Sequence, residues 1–185
     1  MSDELLLAKI GHGFEHLDAD GDGLLTERDH IAMGESVARS LGHPLGSEPA
    51  ERIIAAYLAV WHGLHLAALP AGTTGITREQ FTASTAGLAD DPVAARQVLG
   101  ALAGAFLSVA DTDGSGAVDP EEFYVFQRGH FPGLTREAAD AAFGRLDRNG
   151  DGLLSGDEFH GAILEYWTSR DPAAPGNWWT GRSFE

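Results

Sequence analysis

Three stretches of this 185-residue chain repeat one pattern of oxygen-bearing residues at fixed spacing. In the first, Asp18, Asp20, Asp22, Leu24, Thr26 and Asp29 stand at positions 1, 3, 5, 7, 9 and 12 of a twelve-residue window. Further along, the same positions hold Asp111, Asp113, Ser115, Ala117, Asp119 and Glu122, and then Asp147, Asn149, Asp151, Leu153, Ser155 and Glu158. Position 6 is glycine each time (Gly23, Gly116, Gly152) and position 8 is apolar (Leu25, Val118, Leu154). Such a window offers side-chain oxygens at five positions and the backbone carbonyl of position 7. These oxygens surround a sharp turn at position 6, where glycine reaches positive φ without strain. Six to eight oxygens around a turn are what a hard divalent cation requires, calcium above all. An isolated Asp/Gly cluster is often an ordinary turn; three full windows in one chain constrain fold and function together.

The two later windows begin 36 residues apart, enough for one exiting helix, a linker and one entering helix. Phe123 and Phe159 directly follow the closing glutamates and give each exiting helix an apolar anchor. The first window closes on Asp29, one methylene shorter than glutamate. That carboxylate either binds through one oxygen or needs the loop to contract. A contracted six-oxygen site suits magnesium better than a seven-oxygen calcium site. The first loop is therefore expected to be occupied but less calcium-selective than the other two.

Helix–loop–helix units of this kind pack in pairs, so three imply a fourth. The segment Gly75-Ile76-Thr77-Arg78-Glu79-Gln80-Phe81 keeps an apolar position 8 (Ile76) and the apolar anchor after the loop (Phe81). Counting back puts Leu69, Ala71, Thr73 and Gln80 at positions 1, 3, 5 and 12, so the main ligand positions hold no carboxylate. This second unit is read as one that keeps the fold and has lost the ion, with Ile76 paired against Leu25 as Val118 pairs against Leu154.

The formal net charge is −16, which argues against nucleic acid and anionic membrane surfaces as partners. Much of it has a local source. The three loops hold four, four and three carboxylates at ligand positions, eleven of the 28 acidic residues, and three calcium ions would bring −16 to −10. With no cysteine, there is neither disulfide nor thiolate metal site. The start Met1-Ser2-Asp3-Glu4 is acidic and Leu5-Leu6-Leu7 is too short for a signal or membrane core, so a cytoplasmic location is expected.

Apolar periodicity and breakers place helices over 3–17, 27–41, 48–69, 78–88, 92–110, 120–129, 136–146 and 156–169. Thr135 reads as a cap, and Pro92 as a first helical residue. Ala94 to Val109 is apolar on several faces and is expected to be buried between the halves. The reading is all-α: 1–90 a first pair with a degenerate second unit, 91–169 a second pair, and 170–185 a tail. That tail contains Trp178, Trp179 and Phe184, which gain little in water and are expected to dock on the body.

Together these loops, the silent second unit and the tail core Asp171-Pro172-Ala173-Ala174-Pro175-Gly176-Asn177-Trp178 resemble the EF-hand superfamily. Within it they are similar to the sarcoplasmic calcium-binding protein, calerythrin and calexcitin-like branch. The resemblance implies four hands in one compact body and intracellular calcium/magnesium buffering or transport by a monomer. A calcium sensor acting on a protein target is the alternative. The Met-rich groove that sensors expose is missing here, since Met33 is the only methionine after Met1. A carrier of an apolar small ligand is a further alternative, by likeness to coelenterazine-binding proteins and photoproteins. Trp61, His62, His65, Tyr57, Trp167 and Tyr166 are the aromatic and imidazole groups that could line its cavity, though core and surface packing explains them as well. The pairs His12/His16 and His62/His65 fit helix faces, and nothing joins either into an H-E-x-x-H motif. The sequence holds no nucleophile motif and no phosphate-binding glycine signature; no catalytic or organic-cofactor residue is assigned.

Overall fold

A computed structural model describes residues 2–66, 69, 72–182 and 184. Its elements, in order, are α1 (Ser2–Leu17), β1 (Leu24–Leu25), α2 (Glu27–Ser40), α3 (Glu48–Val60), a π-helical turn (Trp61–His65), β2 (Ile76–Thr77), α4 (Arg78–Leu88), α5 (Pro92–Ala110), β3 (Ala117–Val118), α6 (Pro120–His130), α7 (Arg136–Leu146), β4 (Leu154–Ser155), α8 (Gly156–Thr168) and a 3₁₀ turn (Pro175–Trp178). Most boundaries agree with the sequence reading. The helix expected over 48–69 does not: its regular α part stops at Val60, and the π turn follows. An inserted residue of this kind shifts which side chains face inward. It separates His62 from His65: His62 is exposed and faces Glu27, with 3.2 Å between Nε2 and Oε1, while His65 packs beside His30.

Two minimal antiparallel sheets join the loops. Leu25 pairs with Ile76 and Val118 with Leu154, the registers expected from the position-8 residues. All four side chains are buried, so each loop pair is tied by main-chain bonds around an apolar centre. Ala71, position 3 of the second loop, lies outside the described residues.

Helix ends follow from their capping residues. The Asp91 carboxylate accepts the N–H groups of Val93 and Ala94 at 3.1 and 3.0 Å, and Thr135 Oγ1 accepts that of Ala138 at 3.2 Å. In α2 the buried residues His30, Met33, Gly34, Val37 and Ala38 recur at helical spacing, the stripe that packs against α3 and α6. The burial expected of α5 between the halves is partial. Ala95, Leu99, Ala103 and Val109 are buried, but Ala101, Gly104 and Ser108 face outward. Alanine and glycine make a helix look apolar on every side without obliging every side to be covered.

The tail is docked. Trp179 and Phe184 are buried, and the half-buried Trp178 lies against the Arg145 guanidinium. Trp179 wedges between Phe123 and Phe159, the anchors that open α6 and α8, and its carbonyl accepts Gln127 Nε2–H at 2.7 Å.

Candidate metal centre

The three carboxylate loops repeat one hydrogen-bond net. The position-1 carboxylates accept the N–H of the position-6 glycine at 2.9 Å each: Asp18 from Gly23, Asp111 from Gly116, Asp147 from Gly152. These glycines have φ between 85° and 87°. The side-chain oxygen at position 3 accepts the N–H of position 5 in all three, from Asp20, Asp113 and Asn149. At position 5, Asp22, Ser115 and Asp151 accept the N–H of position 7, that is of Leu24, Ala117 and Leu153. These local bonds curl each loop back toward its position-1 carboxylate.

Position 12 closes the ring. One oxygen of Asp29, Glu122 and Glu158 accepts the position-9 N–H, of Thr26, Asp119 and Ser155, at 2.8–3.0 Å. The other accepts the position-2 N–H, of Ala19, Thr112 and Arg148, again at 2.8–3.0 Å. Position 9 is the N-cap of the exiting helix and position 12 its third residue, so the closing carboxylate is also half of a helix cap. The same arrangement explains the second hand. Gln80 Oε1 accepts Thr77 N–H at 2.9 Å, so α4 keeps its cap although a neutral amide replaces the carboxylate.

The loops differ in how closely their carboxylates gather. Asp111, Asp113 and Glu122 have ligand oxygens within 4.8 Å of one another, as do Asp18, Asp20 and Asp22. Asp29 is not in the first cluster; it is 3 % exposed and hydrogen-bonded to both ends of its own loop. In the fourth loop Asp147, Asp151 and Glu158 supply the carboxylates, with Asn149 and Ser155 as neutral oxygens. Hydrogen bonds from the Ser155 backbone and hydroxyl help to hold Glu158 below the usual carboxylate range, against the opposing effect of burial. The main-chain N–H groups of position 2 were not legible as functional, because any residue supplies one.

Residues 101–164 match the model of an EF-hand domain pair, covering the third and fourth loops with most of their helices. This part of the chain is an EF-hand pair. Calerythrin from Saccharopolyspora erythraea is 26 % identical over 159 residues, spanning 85 % of this chain and 89 % of calerythrin. A calcium-binding protein of Streptomyces coelicolor, whose structure concerns prokaryotic calcium-mediated regulation, is 29 % identical with a TM-score of 0.70, over 88 % of this chain and 98 % of that one. The calcium-loaded apo form of coelenterazine-binding protein from Renilla muelleri shares the fold, with a TM-score of 0.76 at 24 % identity over 96 % and 95 % of the two chains.

Between its halves the protein encloses a cavity of about 280 Å³. Tyr57, His65, Tyr166 and Trp167, four of the six groups singled out in the sequence, line it; Trp61 and His62 do not. Two lining groups escaped the sequence reading. His30 donates from Nδ1 to the Thr26 carbonyl at 2.8 Å, which leaves its buried Nε2 as an acceptor without a partner. The Thr180 hydroxyl is also buried, beside that of Tyr166. A histidine at a core position of the α2 stripe was the available signal for the first; the second needed the fold of the tail. His12 and His16 do meet, with ring centroids 4.4 Å apart, in an aromatic stack with Phe131.

His130 also lines the cavity and accepts the Tyr57 hydroxyl hydrogen at 2.6 Å, its Nδ1–H directed at the Phe126 carbonyl. Burial lowers its pKa from 6.5 to about 4. The folded state therefore holds it neutral while the unfolded chain takes up a proton below pH 6.5. This contribution to stability is complete above pH 6.5 and is lost as the pH falls toward about 4. Urea unfolding in EDTA should show His130→Gln flattening the pH dependence in this window by roughly 1.4 kcal/mol per pH unit, the value of one proton. An unchanged slope refutes the assignment.

Proposed function

We propose that the protein binds calcium at its first, third and fourth loops and serves as a calcium/magnesium buffer inside the cell. The observation that carries this reading is the hydrogen-bond net repeated around the carboxylates of three loops. In each loop the ligands are the side chains at positions 1, 3, 5, 9 and 12 and the carbonyl of Leu24, Ala117 or Leu153. Chemically, a buffer needs ion sites and no target surface. Its lone internal methionine, Met33, is buried, and the apolar anchors Phe123 and Phe159 are covered by Trp179. Calcium titration by calorimetry, with and without millimolar magnesium, tests the proposal. Three tight sites that weaken in magnesium are expected; magnesium-indifferent sites coupled to exposure of apolar surface would assign a sensor with a protein target instead.

Asp29 sets the first loop apart. Asp29→Glu adds the methylene that would bring the closing carboxylate toward Asp18, Asp20 and Asp22. The variant should prefer calcium over magnesium more strongly at the first loop, by roughly tenfold, because the longer side chain can offer calcium a seventh oxygen. Equal selectivity before and after the substitution would remove the magnesium reading.

The cavity supports a second reading, a carrier of an apolar ligand with an O–H or N–H group. Such a ligand would supply the donor that His30 Nε2 lacks, and an unmet buried acceptor costs about 1–3 kcal/mol. Mass spectrometry of the protein purified without denaturant tests it; a preparation free of organic ligand, with no thermal shift from planar aromatic alcohols, rejects it.

A further inference from the structure

The first loop has no ion-binding partner across its own sheet, because Leu69, Thr73 and Gln80 replace carboxylates in the second. Another route leads from it, through Lys9. Lys9 lies in α1, the helix that delivers Asp18, and is fully buried. Its three ammonium hydrogens meet three acceptors: the carbonyls of Glu165 and Ser169 at 3.1 and 2.8 Å and Asn177 Oδ1 at 2.7 Å. The first two belong to the end of α8, the helix that leaves the fourth loop; the third belongs to the tail. Tyr166 O–H returns a bond to the Lys9 carbonyl at 2.9 Å. Asn177, itself buried, donates to the carbonyls of Asp171 and Pro172, so its oxygen is fixed toward Lys9.

The fourth loop reaches the same knot from the other side. Arg148 is position 2 of that loop, and its N–H is held by the closing Glu158. Its guanidinium pairs with Glu165 Oε1, while Glu165 Oε2 accepts Gly176 N–H of the tail at 2.9 Å. Gly176 is pressed so closely onto α8 that a Cβ there would stand 2.4 Å from Glu165 Cβ and 2.6 Å from the Ala162 carbonyl oxygen. A continuous set of bonds therefore runs from the fourth loop through Glu165, the tail and Lys9 to α1.

We infer that the docked tail is a latch that couples the first and fourth ion loops through Lys9, resting on the calcium reading above. An ion in the fourth loop steadies Glu158, hence Arg148, Glu165 and the tail; the seated tail completes the acceptor set of Lys9 and fixes α1. The two-state element is the tail, seated or lifted, and both loops bias it. Linkage makes the effect reciprocal.

The test follows each loop separately by NMR. The amides of Gly23, Gly116 and Gly152 bond the position-1 carboxylate of their own loop and report its filling. Asp147→Ala, which disables the fourth loop, should weaken calcium binding reported by Gly23 about tenfold, within the usual range of coupling between sites. In a Lys9→Met background the same change should shift it less than about twofold. Arg148→Ala, on an exposed ion pair, gives a second cut in the path that spares the core and should reduce the coupling likewise. An equal shift with and without Lys9 and Arg148, or none in the otherwise wild-type chain, overturns the latch. A Gly23 resonance that ignores calcium altogether overturns the calcium reading and the latch with it.

Discussion

Calcium added to the metal-free chain is expected to raise its unfolding free energy by about 4 kcal/mol per filled loop at a thousandfold excess over Kd, or about 12 kcal/mol for three loops. The reason lies in the charge. Metal-free, the folded chain carries −16 and crowds carboxylates within 4.8 Å of one another in the first and third loops. The unfolded chain spreads that charge and offers no preformed oxygen cage, so nearly all of the binding energy becomes folding energy. Urea unfolding in EDTA and in saturating calcium measures the difference. Magnesium should give a smaller gain, drawn mainly from the first loop. Coincident unfolding curves with and without calcium would mean that the three loops are turns and nothing more.

How much of this was legible in the sequence depends on how local each feature is. The shape of the three loops was, because twelve consecutive residues contain the whole pattern and its glycine turn. The sheet registers Leu25–Ile76 and Val118–Leu154 were too, since position 8 is apolar in every loop. The silent second hand could be read because Ile76 and Phe81 keep their places while the carboxylates vanish. What escaped is non-local. The π turn after Val60 has no composition signal, and it decided that His65 turns inward while His62 stays at the surface. Asp29 looked like a ligand of reduced reach; its burial and its two bonds to the loop ends depend on how α2 packs. Lys9, in the middle of α1, carries no such local signal. Nothing within ten residues of it hints at acceptors more than 150 positions away.

The tail supplies the other large expected effect. Trp179→Ala should cost roughly 3–5 kcal/mol of stability, the range for truncating a buried tryptophan. Trp179 is 5 % exposed, with ring centroids 5.0 Å from Phe159 and 6.0 Å from Phe123. Both phenylalanines open the helix that leaves an ion loop, so the indole holds the two exiting helices together from outside their sheet. The main-chain carbonyl of residue 179, which accepts from the buried Gln127 amide, survives the substitution but loses the ring that seats it. Trp178→Ala is the control: its half-buried ring rests on Arg145, and its loss should cost under about 1.5 kcal/mol, less than the burial of a full apolar side chain. Urea unfolding in calcium compares the two. Equal costs would show that the tail is not seated by Trp179. Binding of an apolar dye adds a second readout: with the tail seated, Trp179 covers Phe123 and Phe159. Trp179→Ala should uncover them and make the calcium-loaded variant bind the dye where the parent does not, so that one side chain separates a closed ion store from a surface able to receive a partner.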